Sequence, residues 1–177
     1  MQDGVCTRLK FGSSSTARYL RDIAPALARV CRDGRARVRL VGSGSVDLPG
    51  VPVEGVGWRE EAEVDEIRSF DVGIMPLPDA PWARGKCGFK LIQSMACGLP
   101  VVASPVGVNG EIVADGADGF LARDAGEWVA ALARLKGDAA LGGRLGKAGR
   151  RKVEARYCLQ VTGARVVAVV RGAMGGL

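Results

Sequence analysis

A chain of 177 residues, 47% hydrophobic and 25% charged, can bury one sizeable core and is not composed like a disordered segment. It contains no histidine, which removes Ser-His-Asp triads, histidine bases and His-ligated zinc; its five cysteines (Cys6, Cys31, Cys87, Cys97, Cys158) form no CxxC pair and fit reduced thiols in the cytoplasm better than a disulfide framework. The net charge of +6 and pI near 9.4 fit an anionic ligand, but nothing interleaves Lys/Arg with aromatics as a nucleic-acid platform would, no run is apolar enough to span a bilayer, and the opening MQDGVCTRLKFG lacks the apolar core of a signal peptide.

Taken in order, Val5 to Phe11 reads as a first strand, followed by the small polar turn Gly12-Ser13-Ser14-Ser15-Thr16, which has helix-capping chemistry. Leu20, Ile23, Leu27 and Val30 then recur at helical spacing, with Pro25 marking either a kink or a junction of two short helices. Arg37 to Val41 is a second strand, closed by Gly42-Ser43-Gly44, and Val51 to Val56 a third. Val64, Ile67 and Phe70 mark a short amphipathic helix, and Asp71 to Met75 a fourth strand that runs into a proline-rich loop ending at Pro81. Cys87 to Cys97 reads as helix, Leu99 to Ala103 as a buried strand, Val106 to Val113 as turn and short helix, and Gly119 to Leu121 as a last brief strand. Helices follow around Trp128–Leu135, Leu141–Val153 and Val161–Val170, and a loose tail is expected from Gly172 to Leu177. Arg144, Lys147, Arg150, Arg151 and Lys152 read as a solvated helix face.

Strands alternating with helices predict an α/β fold, an open parallel sheet with helices on both faces, which binds ligands at the carboxyl ends of its strands. The chemistry concentrates in the stretch from Pro78 to Val102. There a loop carrying Arg84, Lys86 and Lys90 meets a glycine-rich helix start at Gly85 and Gly88. Free amides, a positive dipole end and adjacent cations together make a cradle for a diphosphate; the alternative is a solvated loop with its lysines in water.

The run Gln93-Ser-Met-Ala-Cys-Gly-Leu-Pro-Val-Val-Ala-Ser-Pro-Val-Gly107, with Glu111-Ile-Val and Asp118-Gly-Phe-Leu121 after it and Phe70-Asp-Val-Gly-Ile-Met-Pro76 before it, resembles the C-terminal domain of family 4 glycosyltransferases. The likeness extends from about Phe11 to Val170 and implies the Rossmann-like donor half of a GT-B fold. It divides the chain into a nucleotide-sugar-binding domain over 1–171 and a flexible tail over 172–177, with the N-terminal acceptor domain absent. The implied reaction is retaining transfer of a hexosyl group from a UDP-sugar or GDP-sugar to a hydroxyl, with no metal. The implied catalytic residues are Lys90, Lys86 and Arg84, stabilising the leaving diphosphate. The implied donor-binding residues are Gly12, Ser13, Ser14, Gly88, Phe89, Lys90, Gln93 and Glu111.

The family's Glu, seven residues, Glu motif falls on Gly85 and Gln93, so both carboxylates are missing; Gln93 keeps an amide that can bond a ribose hydroxyl. Trp58 falls in the loop that holds the base in the family, though a packed tryptophan is the plainer reading, and Trp82 is either a lid residue or a loop anchor. A separate acceptor-binding domain or chain is the implied partner, with peripheral contact at the inner face of the membrane and no nucleic acid. Three other readings stand beside this one: a non-catalytic nucleotide-binding module or truncated remnant, a dinucleotide-dependent oxidoreductase supported only by Gly42-Ser43-Gly44, and a basic surface protein docking on membrane or nucleic acid.

Overall fold

A computed structural model describes residues 7–12, 17–42, 44 and 46–174. Its strands are β1 (Thr7–Gly12), β2 (Ala36–Val41), β3 (Val53–Val56), β4 (Val72–Met75), β5 (Val101–Ala103) and β6 (Phe120–Leu121). They form one sheet in the order β3-β2-β1-β4-β5-β6, and every adjacent pair is parallel. This is the doubly wound order, in which the chain reverses direction across the sheet between β1 and β4. The crevice beyond the carboxyl ends of those two strands is therefore where such a sheet receives a ligand.

Strand alternation divides the apolar residues between two faces. In β5, Val102 joins the core that contains Leu9, Leu27, Val38, Val72 and Trp128. Its neighbours Val101 and Ala103 join the opposite core, with Leu91, Met95 and Val153. The first face is covered by α1 (Ala24–Cys31) and α6 (Ala125–Gly137), which pack on each other. The second is covered by α4 (Phe89–Ala96) and α7 (Ala139–Arg156). In β2 the arginines Arg37 and Arg39 alternate with the buried Ala36, Val38 and Leu40. Arg39 pairs with Glu54 at 3.1 Å and lies over the Phe70 ring. It also meets Glu66 of α2 (Glu63–Arg68), so a charged contact fixes the β3 edge.

The expected helix after β1 forms as two pieces, a 3-10 turn over Arg18–Ile23 and then α1, with Pro25 in the first helical positions, where its missing N–H costs nothing. α6 and α7 are capped by Asp124 and Asp138, whose carboxylates accept from the Glu127 and Leu141 amides at 2.8 Å. Two expectations are corrected. The final helix, α8 (Leu159–Met174), runs through Gly172 to Met174, residues assigned above to a loose tail; its alanines and valines keep the helical period through that point. Lys152 is not part of a solvated face. It reaches inward to donate to the Ile112 carbonyl at 2.8 Å and pairs with the buried Asp118.

Candidate functional site

β4 ends at Met75, and the chain then crosses the carboxyl edge of the sheet as Pro76-Leu77-Pro78, a single turn α3 (Pro81–Arg84) and the glycine corner Gly85–Gly88 before α4 begins. Ser104, just past β5, ties down the start of this crossing, its hydroxyl accepting from the Leu77 amide at 3.0 Å. The corner depends on Gly88. Its φ of +66° is left-handed, and a Cβ there would strike Ile112 Cδ1 and crowd Val108. A left-handed residue at this point also delays α4, which starts at Phe89 rather than at Cys87.

Gly107 completes the close packing, because a side chain there would collide with the Arg84 carbonyl. The loop after β5 and α5 (Asn109–Ile112) are thereby pressed against the base of the corner. Asn109 is fully buried beneath it. Its amide donates to the Ser104 carbonyl at 3.0 Å, while its Oδ1 finds no partner among the described residues.

The N-terminus of α4 is open. Among the described residues, the amides of Gly88 and Phe89 have no hydrogen-bond acceptor, and no side chain caps the helix. Open amides at a helix start are donors aligned with the positive end of the dipole. Lys90 stands in the first turn, half-buried, and Gln93 follows one turn later, also half-buried. Arg84 and Lys86 each meet a neighbour within the loop. Arg84 forms a two-pronged pair with Asp79 at 2.6 and 3.0 Å; the guanidinium holds the Asp79 carboxyl below its ordinary value and is itself raised. Lys86 lies over the exposed Trp82 ring, 5.2 Å from its centre. Glu111 is exposed on α5, on the loop that packs against the corner.

On the β1 side, Gly12 is the last residue of its strand, opposite Val41. Ser13 and Ser14 lie outside the described residues, as does Ser43 of the turn after β2. Sequence reasoning undervalued one residue here. Trp58 is not packed in a core: it is 54% exposed, with its Cβ against Gly42 at the end of β2 and its indole N–H donating to Glu63 at 3.2 Å. The signal was its setting, Gly57-Trp58-Arg59-Glu60-Glu61, which has no apolar period to bury a ring.

A cavity of about 470 Å³ opens beside this crossing, beyond the ends of β4, β5 and β6. Its walls include Leu77, Ser104, Arg123 and Trp128, and it reaches the cationic loop through Asp79. Among the described residues no three His, Cys, Asp or Glu side chains gather where a metal ion could be held, and no helix is long and apolar enough to cross a membrane.

Comparison with known proteins follows from this geometry. The profile of the family described as glycosyl transferases group 1 matches residues 7–138. A search of curated proteins gives no match. Among solved structures, sucrose-phosphate synthase from Thermosynechococcus elongatus superposes with a TM-score of 0.75 at 22% identity, over 100% of this chain and 47% of that one. HepE from Anabaena, in complex with UDP, gives a TM-score of 0.78 at 18% identity, over 96% and 49%. The C-terminal domain of LpcC, a group 1 glycosyl transferase from Francisella tularensis, gives 0.68 at 15% identity, over 87% of each. The chain thus spans about half the length of the first two and most of the isolated C-terminal domain.

Proposed function

The chain belongs to the group 1 glycosyl transferases, and on that premise we propose that it is the domain of such an enzyme that binds a nucleotide-diphosphate sugar, UDP- or GDP-linked. The observation that carries this is the start of α4 at the carboxyl edge of β4, where the Gly88 and Phe89 amides have no acceptor among the described residues and Lys90 stands in the same turn. Two convergent donors, a helix dipole and a cation suit a diphosphate, and they act most strongly on the charge that builds on it as the glycosidic bond breaks. Lys86 adds charge from the rim. Arg84, neutralised by Asp79, shapes the loop and contributes less.

On this reading the exposed ring of Trp58 receives the base, and the Gln93 amide bonds a ribose hydroxyl. Gly85 offers no side chain to the sugar, so the sugar adds little affinity. Transfer proceeds with retention to a hydroxyl held by a separate domain or chain, whose proximity supplies much of the rate. The missing carboxylates at Gly85 and Gln93 favour one second reading, a module that binds the nucleotide without catalysing transfer.

Calorimetric titration of the folded chain with UDP, GDP and ADP, each with and without a linked glucose, tests the proposal. UDP or GDP should bind, with the linked sugar changing affinity less than about threefold, since no charged hydrogen bond to it is available. A folded chain that binds none of them sinks both readings. One that binds normally yet transfers nothing, when supplied with the acceptor-binding half of a relative, supports the second.

A further inference from the structure

The cavity beyond β4, β5 and β6 differs in chemistry from the start of α4 beside it. Its floor is apolar, made by the buried Ile23, Leu77, Val106 and Trp128. Its rim is polar and exposed, carrying Asp22, Asp79 and Asp124 together with Arg123. Most of that charge is already balanced. Asp79 is held on both oxygens by Arg84, Asp124 uses one oxygen to cap α6, and Arg123 faces Glu127 at 3.7 Å. Asp22 has no hydrogen bond or ion pair among the described residues. Ser104, in the wall and 8% exposed, accepts from the Leu77 amide, while its own proton has no acceptor among the described residues. Pro76, Pro78 and Pro105 fix the backbone of the loops around it, so the hollow is formed before anything enters.

From this lining we infer that the cavity binds a neutral saccharide unit, at a site separate from the one for the diphosphate. A ring with a C–H face and hydroxyls at its edge matches an apolar floor under a polar rim. Its hydroxyls can donate to a carboxylate such as Asp22 and also accept from Ser104. A phosphorylated ligand would meet three carboxylates, and an apolar one would leave Asp22 and Ser104 desolvated without partners. Asp22, Asp79 and Asp124 do not gather closely enough to hold a metal ion. Contacts between domains spread over roughly 600–1,500 Å². A compact hollow of about 470 Å³ has instead the size of a small-molecule site. The inference does not rest on the donor reading, because no residue at the start of α4 lines the cavity.

Saturation-transfer NMR on the folded chain tests it, with methyl glucoside, methyl galactoside and methyl mannoside as probes and the 6-phosphates of the same sugars as charged controls. At least one neutral glycoside should bind with a millimolar Kd, and its phosphorylated counterpart at least about fivefold more weakly. Asp22→Ala should weaken glycoside binding about fivefold by removing one acceptor. Ala125→Trp, which fills the cavity from the first turn of α6, should abolish it. Both positions are exposed, so thermal unfolding should be unchanged, and so should affinity for UDP. A chain that binds a glycoside and not UDP keeps this inference and loses the donor reading. No glycoside bound, a sugar phosphate bound as well or better, or full binding by Ala125→Trp would each overturn the inference. So would displacement of the glycoside by UDP-glucose but not by UDP, which would make the cavity part of the donor's own site.

Discussion

Lys90 and Lys152 stand on two helices packed against each other, α4 and α7, and in composition they are the same residue. Their surroundings differ. Lys152 is 17% exposed and its ammonium is fully engaged by the Ile112 carbonyl and by Asp118, which is 7% exposed and also accepts from the Ala114 amide at 2.7 Å. It locks the end of α5 and the turn after it to α7. Lys90 sits where the neighbouring Gly88 and Phe89 donors are left without acceptors. A cation engaged by a buried carboxylate and a carbonyl stabilises the fold, whereas the amides at the start of α4 are placed for an anion that the described residues do not supply.

The sharpest break of that comparison is Lys152→Met, which leaves the Asp118 carboxylate buried with one amide donor. Stability should fall by about 3 kcal/mol in denaturant unfolding, the penalty of an orphaned buried charge. Lys90→Ala should do the converse. Its stability should stay within about 0.5 kcal/mol of the parent, as for most partly exposed positions. Its affinity for the nucleoside diphosphate should fall about tenfold by calorimetry, the loss of one charge-assisted contact. If Lys90→Ala destabilises the chain and leaves affinity unchanged, the two lysines have the same role and the donor site lies elsewhere. Trp58→Ala should lower affinity less, about fivefold, by removing one stacking surface, with no change in stability because the ring is outside every core.

The sequence carried the parallel α/β architecture well, because alternating β and α segments with buried β4 and β5 leave few topologies open. The loop and glycine corner ahead of α4 were legible too, since loop, corner and helix are contiguous. What escaped were pairings between distant segments. Lys152 finds Ile112 some 40 residues away, and Lys136 of α6 finds Asp33 at a separation of 103, and no local pattern marks either lysine as different from its exposed neighbours. Trp58 was misjudged for the opposite reason: aromatic character suggests burial, and that expectation was set above the polar setting of the ring.

Lys136 repeats the Lys152 arrangement on the other face of the sheet, and a titration distinguishes the two. Its ammonium donates to the Val30 carbonyl at 2.7 Å and pairs with Asp33 at 3.0 Å, pinning the end of α1 to α6. Asp33 is more exposed than Asp118, so solvent screens the pair and its contribution is small. Hydrogen bonds from the Arg35 amide first, and then from Lys136, hold the Asp33 carboxyl at about 2, below the 3.8 of a free aspartate. A depressed pKa means that the folded state prefers the ionised form. The stabilisation is therefore complete above the unfolded value and disappears as pH falls through the folded one. Asp33→Asn should melt slightly below the parent at neutral pH, and the gap should persist down to about pH 4 and close towards pH 2. A gap that stays constant across that window would show that Asp33 acts through shape rather than charge. Lys136 would then be held by the Val30 carbonyl alone, and the likeness to Lys152 would end at the carbonyl.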